Sequence, residues 1–181
     1  MNMMVLNTLP KFIELGDKMK VFKPPVWPIV SMDENVVFLA GSIEMGAAED
    51  WQTKVVKAVE EHDGVILNPR RDDWDSSWEQ SIKNPQFKEQ VEWELYGLDI
   101  ATLVFMYFDP NTKSPISLLE LGLCARDKKM CVVCPTGFWR KGNVDIVCAK
   151  ENIPVFEDLN QGIIFLKHHC RVFNSERLYE K

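Results

Sequence analysis

The chain has no surplus of basic residues: 21 lysines and arginines stand against 27 aspartates and glutamates, for a formal net charge of −6. Proteins that bind nucleic-acid polymers usually carry a basic face, because binding releases counterions from the phosphate backbone. The sequence also lacks an apolar run of the roughly 20 residues that a membrane span needs, and its first residues lack a signal-peptide pattern. We therefore expect a cytoplasmic protein that binds neither a nucleic-acid polymer nor a membrane.

Cysteine and histidine are few, and their spacing matches no disulfide framework or metal site. The five cysteines are an odd number, and the three histidines lie far from any acidic or cysteine pair. Cys131 and Cys134 form a C-x-x-C, but "KMCVVCP" is typical of a buried strand, in which positions three apart point to opposite faces. We expect reduced cysteines and no metal.

Length and composition predict one soluble domain. With 181 residues, of which 46% are apolar and 27% charged, the chain can bury one core but is short for two domains. The first 34 residues hold four of the ten prolines and no long periodic run. We predict an irregular arm over 1–34, packed on a single α/β domain over 35–181.

Short apolar segments alternate with helical segments along that domain. Strands are predicted within 35–43, 64–71, 102–109 and 128–135 and near Ile153 to Phe156, and helices within 47–64, 85–101 and 114–127 and from Asp158 onward. This order predicts a doubly wound, mainly parallel sheet of about five strands flanked by helices, a Rossmann-like or flavodoxin-like α/β fold. Ligands of such sheets bind in a crevice beyond the carboxyl ends of the strands, where 41–46, 68–74, 109–117 and 135–143 would converge.

Glu120, in "SPISLLELGL", has two interpretations. Ser117 and Glu120 fit the S-x-x-E capping box, in which the acid satisfies a free amide at a helix start. Ser114-Pro115 is an equally good helix start and places Glu120 one turn inside, among leucines at the predicted crevice. A carboxylate is costly to bury there unless it has a partner or a chemical role. These residues alone leave both interpretations open.

Glu94, in "QVEWELYG", is predicted to be a solvated acid on a helix. The apolar stripe of that helix would be formed by Phe87, Val91, Leu95 and Leu98. Glu94 lies on the same helix face as Gln90. This face is polar, whereas the stripe is apolar. This segment alone therefore favours exposure of Glu94 to water, and the same holds for Glu92.

Two polar segments near the predicted crevice offer ligand contacts. In "NPRRDDWDSSW", Arg70 and Arg71 could meet a phosphate or a base edge and Trp74 could stack on a base, although an internally paired loop is about equally expected. In "GFWRKGNV", the exposed pair Phe138-Trp139 favours a subunit interface. The turn "GSIEMG" is neither a G-x-G-x-x-G nor a P-loop, and it is weak evidence for a phosphate or ribose site.

In their order and spacing, "FLAGSI", "NPRR", "WELYGLDIATLVF" and "SPISLLELGL" resemble the nucleoside 2-deoxyribosyltransferase family, most closely its branch of 2-deoxyribosyltransferase-like proteins. The resemblance covers roughly 36–143. It implies an enzyme that cleaves the N-glycosidic bond of (deoxy)nucleosides and transfers the sugar to another nucleobase with retention. It implies no metal or cofactor.

The resemblance also implies roles for individual residues. Glu120 would be the nucleophile that forms a covalent glycosyl-enzyme, and Glu94 the acid with a raised pKa that protonates the leaving base. Gly41 and Ser42 match the family's sugar-binding loop, and Asn143 would complete the site of a neighbouring subunit in a homo-oligomer. The other candidate substrate contacts are Asn68, Arg70, Asp73, Trp74, Ser114 and Ser117.

Ser114 departs from the family pattern, because the family has an aspartate six residues before the nucleophile. With Arg70 and Arg71, this departure favours one alternative, a hydrolase of the same fold that acts on nucleosides or nucleoside 5′-monophosphates. A second alternative is a non-catalytic nucleotide-sensing module, in which Glu120 only caps its helix.

Overall fold

The computed structural model describes residues 18–43 and 48–179. Within these ranges the chain forms one parallel sheet of six strands in the order β1-β3-β2-β4-β5-β6, which confirms the predicted doubly wound α/β fold. The strands are β1 Lys20–Phe22, β2 Val36–Gly41, β3 Val65–Leu67, β4 Leu103–Tyr107, β5 Met130–Val133 and β6 Val155–Phe156. The helices are α1 Trp51–Val59, α2 Pro85–Ile100, α3 Pro115–Cys124, α4 Lys141–Glu151 and α5 Leu159–Tyr179.

Strand β1 corrects the expectation of an irregular arm, because residues 20–22 add a sixth, edge strand to the sheet. Lys20 pairs with Val65 and Phe22 with Leu67, in parallel. Only three residues long and largely exposed, β1 has none of the continuous apolar character by which the inner strands were recognised. Residues 1–17 of the arm lie outside the described residues.

The helices cover both faces of the sheet. Helices α2, α3 and α4 pack on one face, and α1 and α5 on the other. Cys134 packs in the core between the sheet and helices α2, α3 and α4, and Cys131 in the core on the opposite face, under α1 and α5. This confirms that the two side chains point to opposite faces. All five cysteines are buried and free. Among the described residues, no helix is long and apolar enough to cross a membrane.

Helix α2 turns a different face to the core from the one predicted. Its buried residues are Gln90, Trp93, Gly97 and Leu98, whereas Leu95 is 44% exposed. The cause is close packing at Gly97, where a Cβ atom would lie 2.5 Å from Cδ2 of Phe38. The backbone of α2 therefore approaches β2 directly. This rotation also brings Glu94 inward, so its interpretation as a solvated acid is wrong.

Strands β2 and β4 lie side by side at the switch in strand order. The chain leaves β2 toward β3 and leaves β4 toward β5, so the loops after these two strands separate and open a crevice at their carboxyl ends. Gly41 ends β2 with a φ of +135°, and a Cβ atom there would lie 2.2 Å from the carbonyl oxygen of Tyr107. Only glycine fits this close approach of the two strands.

Candidate active site

The first turn of α3 decides between the two interpretations of Glu120. The helix begins at Pro115, and Ser114 before it has left-handed backbone angles, φ 46° and ψ 52°. The amide of Leu118 donates to the Ser114 carbonyl at 3.1 Å, which closes the first turn. Ser117 thus lies inside the helix and cannot be its N-cap. The capping-box interpretation of Glu120 is wrong, because Glu120 occupies the second turn.

Glu120 is buried against the sheet, with 8% of its surface exposed. Burial and, to a smaller extent, the charge of Glu94 on the adjacent helix together raise the pKa of Glu120 to about 8. Ser117, one turn earlier on α3, is buried on the same side. Helices α2 and α3 thus bring the two acids into one electrostatically coupled pair.

Burial also raises the pKa of Glu94, to about 7, against the opposing effect of a hydrogen bond from Gln90. The Nε2 group of Gln90 donates to Oε1 of Glu94 at 2.8 Å. Two carboxylates in one apolar site cannot both ionise easily at neutral pH, since desolvation and mutual repulsion both favour retaining a proton. The pair can therefore supply one carboxylate and one carboxylic acid.

Three buried hydroxyl groups lie at the switch in strand order. The Ser42 and Ser114 oxygens are 2.6 Å apart, and Oγ1 of Thr112 lies 3.0 Å from the first and 2.7 Å from the second. The amide of Asp109 donates to the Ser42 hydroxyl at 2.8 Å. The Ser42 hydroxyl, predicted to belong to the sugar-binding loop, is thus engaged in this cluster together with Ser114.

The two arginines in the segment after β3, Arg70 and Arg71, have different contacts. Arg71 forms ion pairs with Asp73 at 2.7 Å and Glu89 at 3.1 Å, and its side chain is only 6% exposed. Its guanidinium also lies over the ring of Trp78 at 5.1 Å. Asp73 is thus tied to Arg71. In this part of the segment the charged side chains pair with one another, which is the internally paired loop that the sequence offered as one of two alternatives.

Arg70 is held more loosely. Its amide donates to Oδ1 of the buried Asn68 at 3.0 Å, and its Nη1 donates to Oε1 of Gln52 at 3.3 Å. Among the described residues, no carboxylate lies within ion-pair distance of Arg70. Trp74, farther along the segment, packs edge-on against Trp78 with the ring centroids 5.1 Å apart. Arg70 is therefore the cation of this segment that remains able to meet an anionic substrate group.

Asn143 is exposed at the start of α4. It lines a groove of about 300 Å³ between α3 and α4, together with Arg140 and the α3 residues Leu121 and Gly122. The outer face of α3 beside this groove exposes Ile116, Leu119 and Leu123. Phe138 is buried against Phe108, whereas Trp139 is 45% exposed. Of the predicted site residues, Asn143 is the one that lines this groove.

Sequence reasoning missed two residues of the site, Gln52 and Gln90. Both are almost completely buried, and each has an amide atom without a hydrogen-bond partner among the described residues. Gln90 precedes Glu94 by one helical turn, and this spacing was the signal that could have identified it. Gln52 had no comparable signal, because its partner Arg70 lies on another element.

Comparison with known proteins places the chain in a family. The family model described as "nucleoside 2-deoxyribosyltransferase like" matches residues 34–138, more than half of the chain. The matched range includes β2, β3, β4 and β5 and the helices that carry both acids. No curated protein matches the chain significantly.

Proposed function

The chain belongs to the nucleoside 2-deoxyribosyltransferase-like family, and from this membership we propose that it cleaves the N-glycosidic bond of (deoxy)nucleosides and transfers the sugar to a second nucleobase. The observation that carries the proposal is the coupled pair of acids formed by the half-buried Glu94 on α2 and the buried Glu120 on α3. Paired carboxyl groups at a glycosidic bond divide the work of acid and nucleophile.

In the proposed first step, a carboxylate oxygen of Glu120 forms a bond to the anomeric carbon while the bond from that carbon to the base nitrogen breaks. The electron pair of the broken bond stays with the base, and Glu94 donates its proton to a ring nitrogen of the base. A neutral base and a covalent glycosyl-Glu120 ester result. The raised pKa values support one proton shared between the two acids near neutral pH. The pKa of Glu120 is the higher of the two in the free protein, so the proposed division requires this proton to be on Glu94 once the substrate is bound.

In the second step, a ring nitrogen of another base attacks the anomeric carbon and displaces Glu120, and Glu94 takes up the proton that this nitrogen loses. Two displacements at the same carbon give net retention. Ser42, Ser114 and Gly41 at the switch in strand order would contact the sugar. Trp74 and Asn68 would contact the base. These assignments rest on the position of the residues at the carboxyl edge of the sheet.

One observation favours a second activity, hydrolysis of nucleoside 5′-monophosphates. Arg70 has no carboxylate within ion-pair distance among the described residues, and Ser114 removes a negative charge that the family pattern has at this position. A phosphate group would gain a charge-assisted contact from Arg70 and lose a repulsion at Ser114. Water would then replace the second base as the acceptor.

We also propose that the working protein is a homo-oligomer in which Asn143 completes the site of a neighbouring subunit. The exposed apolar face formed by Ile116, Leu119 and Leu123 on α3 and Ile146 on α4 supports this proposal, because large apolar patches on soluble proteins mark interfaces. The polar residues Arg140 and Asn143 line the groove in the same region.

The proposal is tested by incubating the protein with a deoxynucleoside and a second free base, and separately with the deoxynucleoside in water. We expect the wild type to form the exchanged nucleoside, Glu120→Ala to lose exchange by at least about 10³-fold, and Glu94→Gln to lose about 10²-fold or more. Glu92→Ala is the matched control, since Glu92 is an exposed acid of the same helix.

The products separate the candidates. Free sugar without exchange would establish the hydrolase instead, and the same assay with a nucleoside 5′-monophosphate tests its preferred substrate. Nucleoside binding without any product from the wild type would overturn both enzymatic proposals in favour of a sensing module.

A further inference from the structure

We propose that Gln90 is a positioning residue that orients the Glu94 carboxyl group, so that Oε2 of Glu94 is the oxygen that carries and delivers the proton. This inference rests on the proposed role of Glu94 as an acid. Gln90 lies one turn before Glu94 on α2 and is 5% exposed. It does not contact the reacting atoms in the proposed reaction and acts only through Glu94.

Two hydrogen bonds fix the Gln90 amide. Its Nε2 donates to the carbonyl oxygen of Pro69 at 2.9 Å and to Oε1 of Glu94 at 2.8 Å. A backbone carbonyl oxygen can only accept, so the end of the amide that faces Pro69 must be the nitrogen. The Pro69 contact therefore holds the amide in the orientation that presents its other N–H to Glu94.

This arrangement decides which oxygen of Glu94 is protonated. An amide nitrogen has two hydrogens, and both are used by the two contacts of Gln90. Oε1 of Glu94 accepts one of them and cannot also point a proton at Gln90. The carbonyl oxygen of a carboxylic acid is a stronger acceptor than its hydroxyl oxygen, so this contact favours the hydrogen on Oε2, the oxygen that Gln90 leaves free for the leaving base.

The oxygen end of the Gln90 amide makes the fold less stable. Oε1 of Gln90 is buried and has no hydrogen-bond partner among the described residues. A buried acceptor without a partner destabilises the fold, and methionine, with nearly the same shape, would avoid the cost. The glutamine at this position is therefore better explained by its hydrogen bonds to Pro69 and Glu94 than by packing.

The expected effect of removing Gln90 has a definite sign. An N–H donated to a carboxylate stabilises the ionised form, so the Gln90 contact lowers the pKa of Glu94 against the effect of burial. Without this contact the pKa of Glu94 rises. Among the described residues, the titratable group that couples to Glu94 from a neighbouring element is Glu120 on α3, so a clean titration needs Glu120→Gln as background.

The test is a ¹³C-carboxyl NMR titration of Glu94 in the Glu120→Gln background, with and without Gln90→Met. We expect the midpoint of Glu94 to move up by about one pH unit in the Gln90→Met variant. Gln86→Met is the matched control, because Gln86 is an exposed glutamine of the same helix, and there the midpoint should stay unchanged. If Gln90→Met does not fold, Gln90→Leu serves as the second variant.

With Glu120 intact, Gln90→Met should lower kcat for exchange by about tenfold and move the alkaline limb of its pH profile upward. An unchanged Glu94 midpoint, or an equal shift in Gln86→Met, would overturn the positioning role. The titration requires no turnover. A shifted midpoint in a protein that exchanges no bases would therefore support the role of Gln90 while contradicting the proposed transferase activity.

Discussion

At the scale of single residues, the two acids of the site make the folded chain less stable at alkaline pH. Burial raises the pKa of Glu94 to about 7 and that of Glu120 to about 8, whereas an unfolded glutamate titrates near about 4.3. Between these values the folded state holds protons that the unfolded state has released. The free energy of unfolding therefore falls as the pH rises through this window.

Glu120→Gln should remove much of this penalty. We expect the substitution to raise the free energy of unfolding by roughly 2–4 kcal/mol at about pH 8.5 and to change it little near about pH 3, where the acid is protonated in both states. Denaturant titrations at the two pH values measure the difference. Glu92→Gln, at an exposed acid of α2, should show no such pH dependence. A gain that is equal at both pH values would contradict the explanation.

Ser114 offers a second residue-scale prediction, about the substrate. Ser114→Asp restores the family aspartate, and aspartate tolerates the left-handed backbone found there, φ 46°. The new carboxylate would repel a phosphate group, so kcat/KM for a nucleoside 5′-monophosphate should fall at least about tenfold relative to that for the free nucleoside. Arg70→Gln should change the ratio in the same direction. An unchanged ratio in both variants would argue that neither residue meets a phosphate.

At the scale of elements, the sequence predicted the inner strands and the helices α1, α2, α3 and α5, because each combines a clear period with a turn or cap signal. Helix α4 was missed, since only Val144 and Cys148 are buried along its eleven residues. The candidate site could also be predicted only in part. Ser114-Pro115 was one of two equally good starts for α3, so the residues alone left the place of Glu120 open. The burial of Glu94 depended on how α2 is rotated, with Gly97 packed against Phe38, and the helical period does not give that rotation.

That contact yields a prediction about α2. A Cβ atom at Gly97 would lie 2.5 Å from the Phe38 ring, whereas at Gly122 of α3 nothing lies within 4 Å. Gly97→Ala should therefore lower the free energy of unfolding by about 1–3 kcal/mol, despite the better helix propensity of alanine. Gly122→Ala, the matched control, should be neutral or stabilise by up to about 1 kcal/mol. Equal effects at the two glycines would show that α2 does not depend on this close approach.

At the scale of the whole molecule, helix α3 lies between the two acids and an exposed apolar surface. Helix α3 carries Glu120 on its inner face and exposes Leu119 and Leu123 on its outer face. Asn143 and Arg140 belong to the groove on that outer side. A subunit docked there would bring its own Asn143 toward the neighbouring site only if the contact is self-complementary, as in a two-fold dimer.

Complementation between two inactive variants tests this arrangement. In a homodimer whose sites combine Glu120 of one chain with Asn143 of the other, Glu120→Ala and Asn143→Ala chains would each be impaired alone. Random mixing makes half of the dimers mixed, and each mixed dimer has one intact site, so activity should return to about a quarter of the wild-type value. Leu119→Lys in both chains should abolish the recovery, whereas Ile164→Lys, on the exposed side of α5, should not. If mixing restores nothing while the chains demonstrably exchange subunits, Asn143 does not act across the interface.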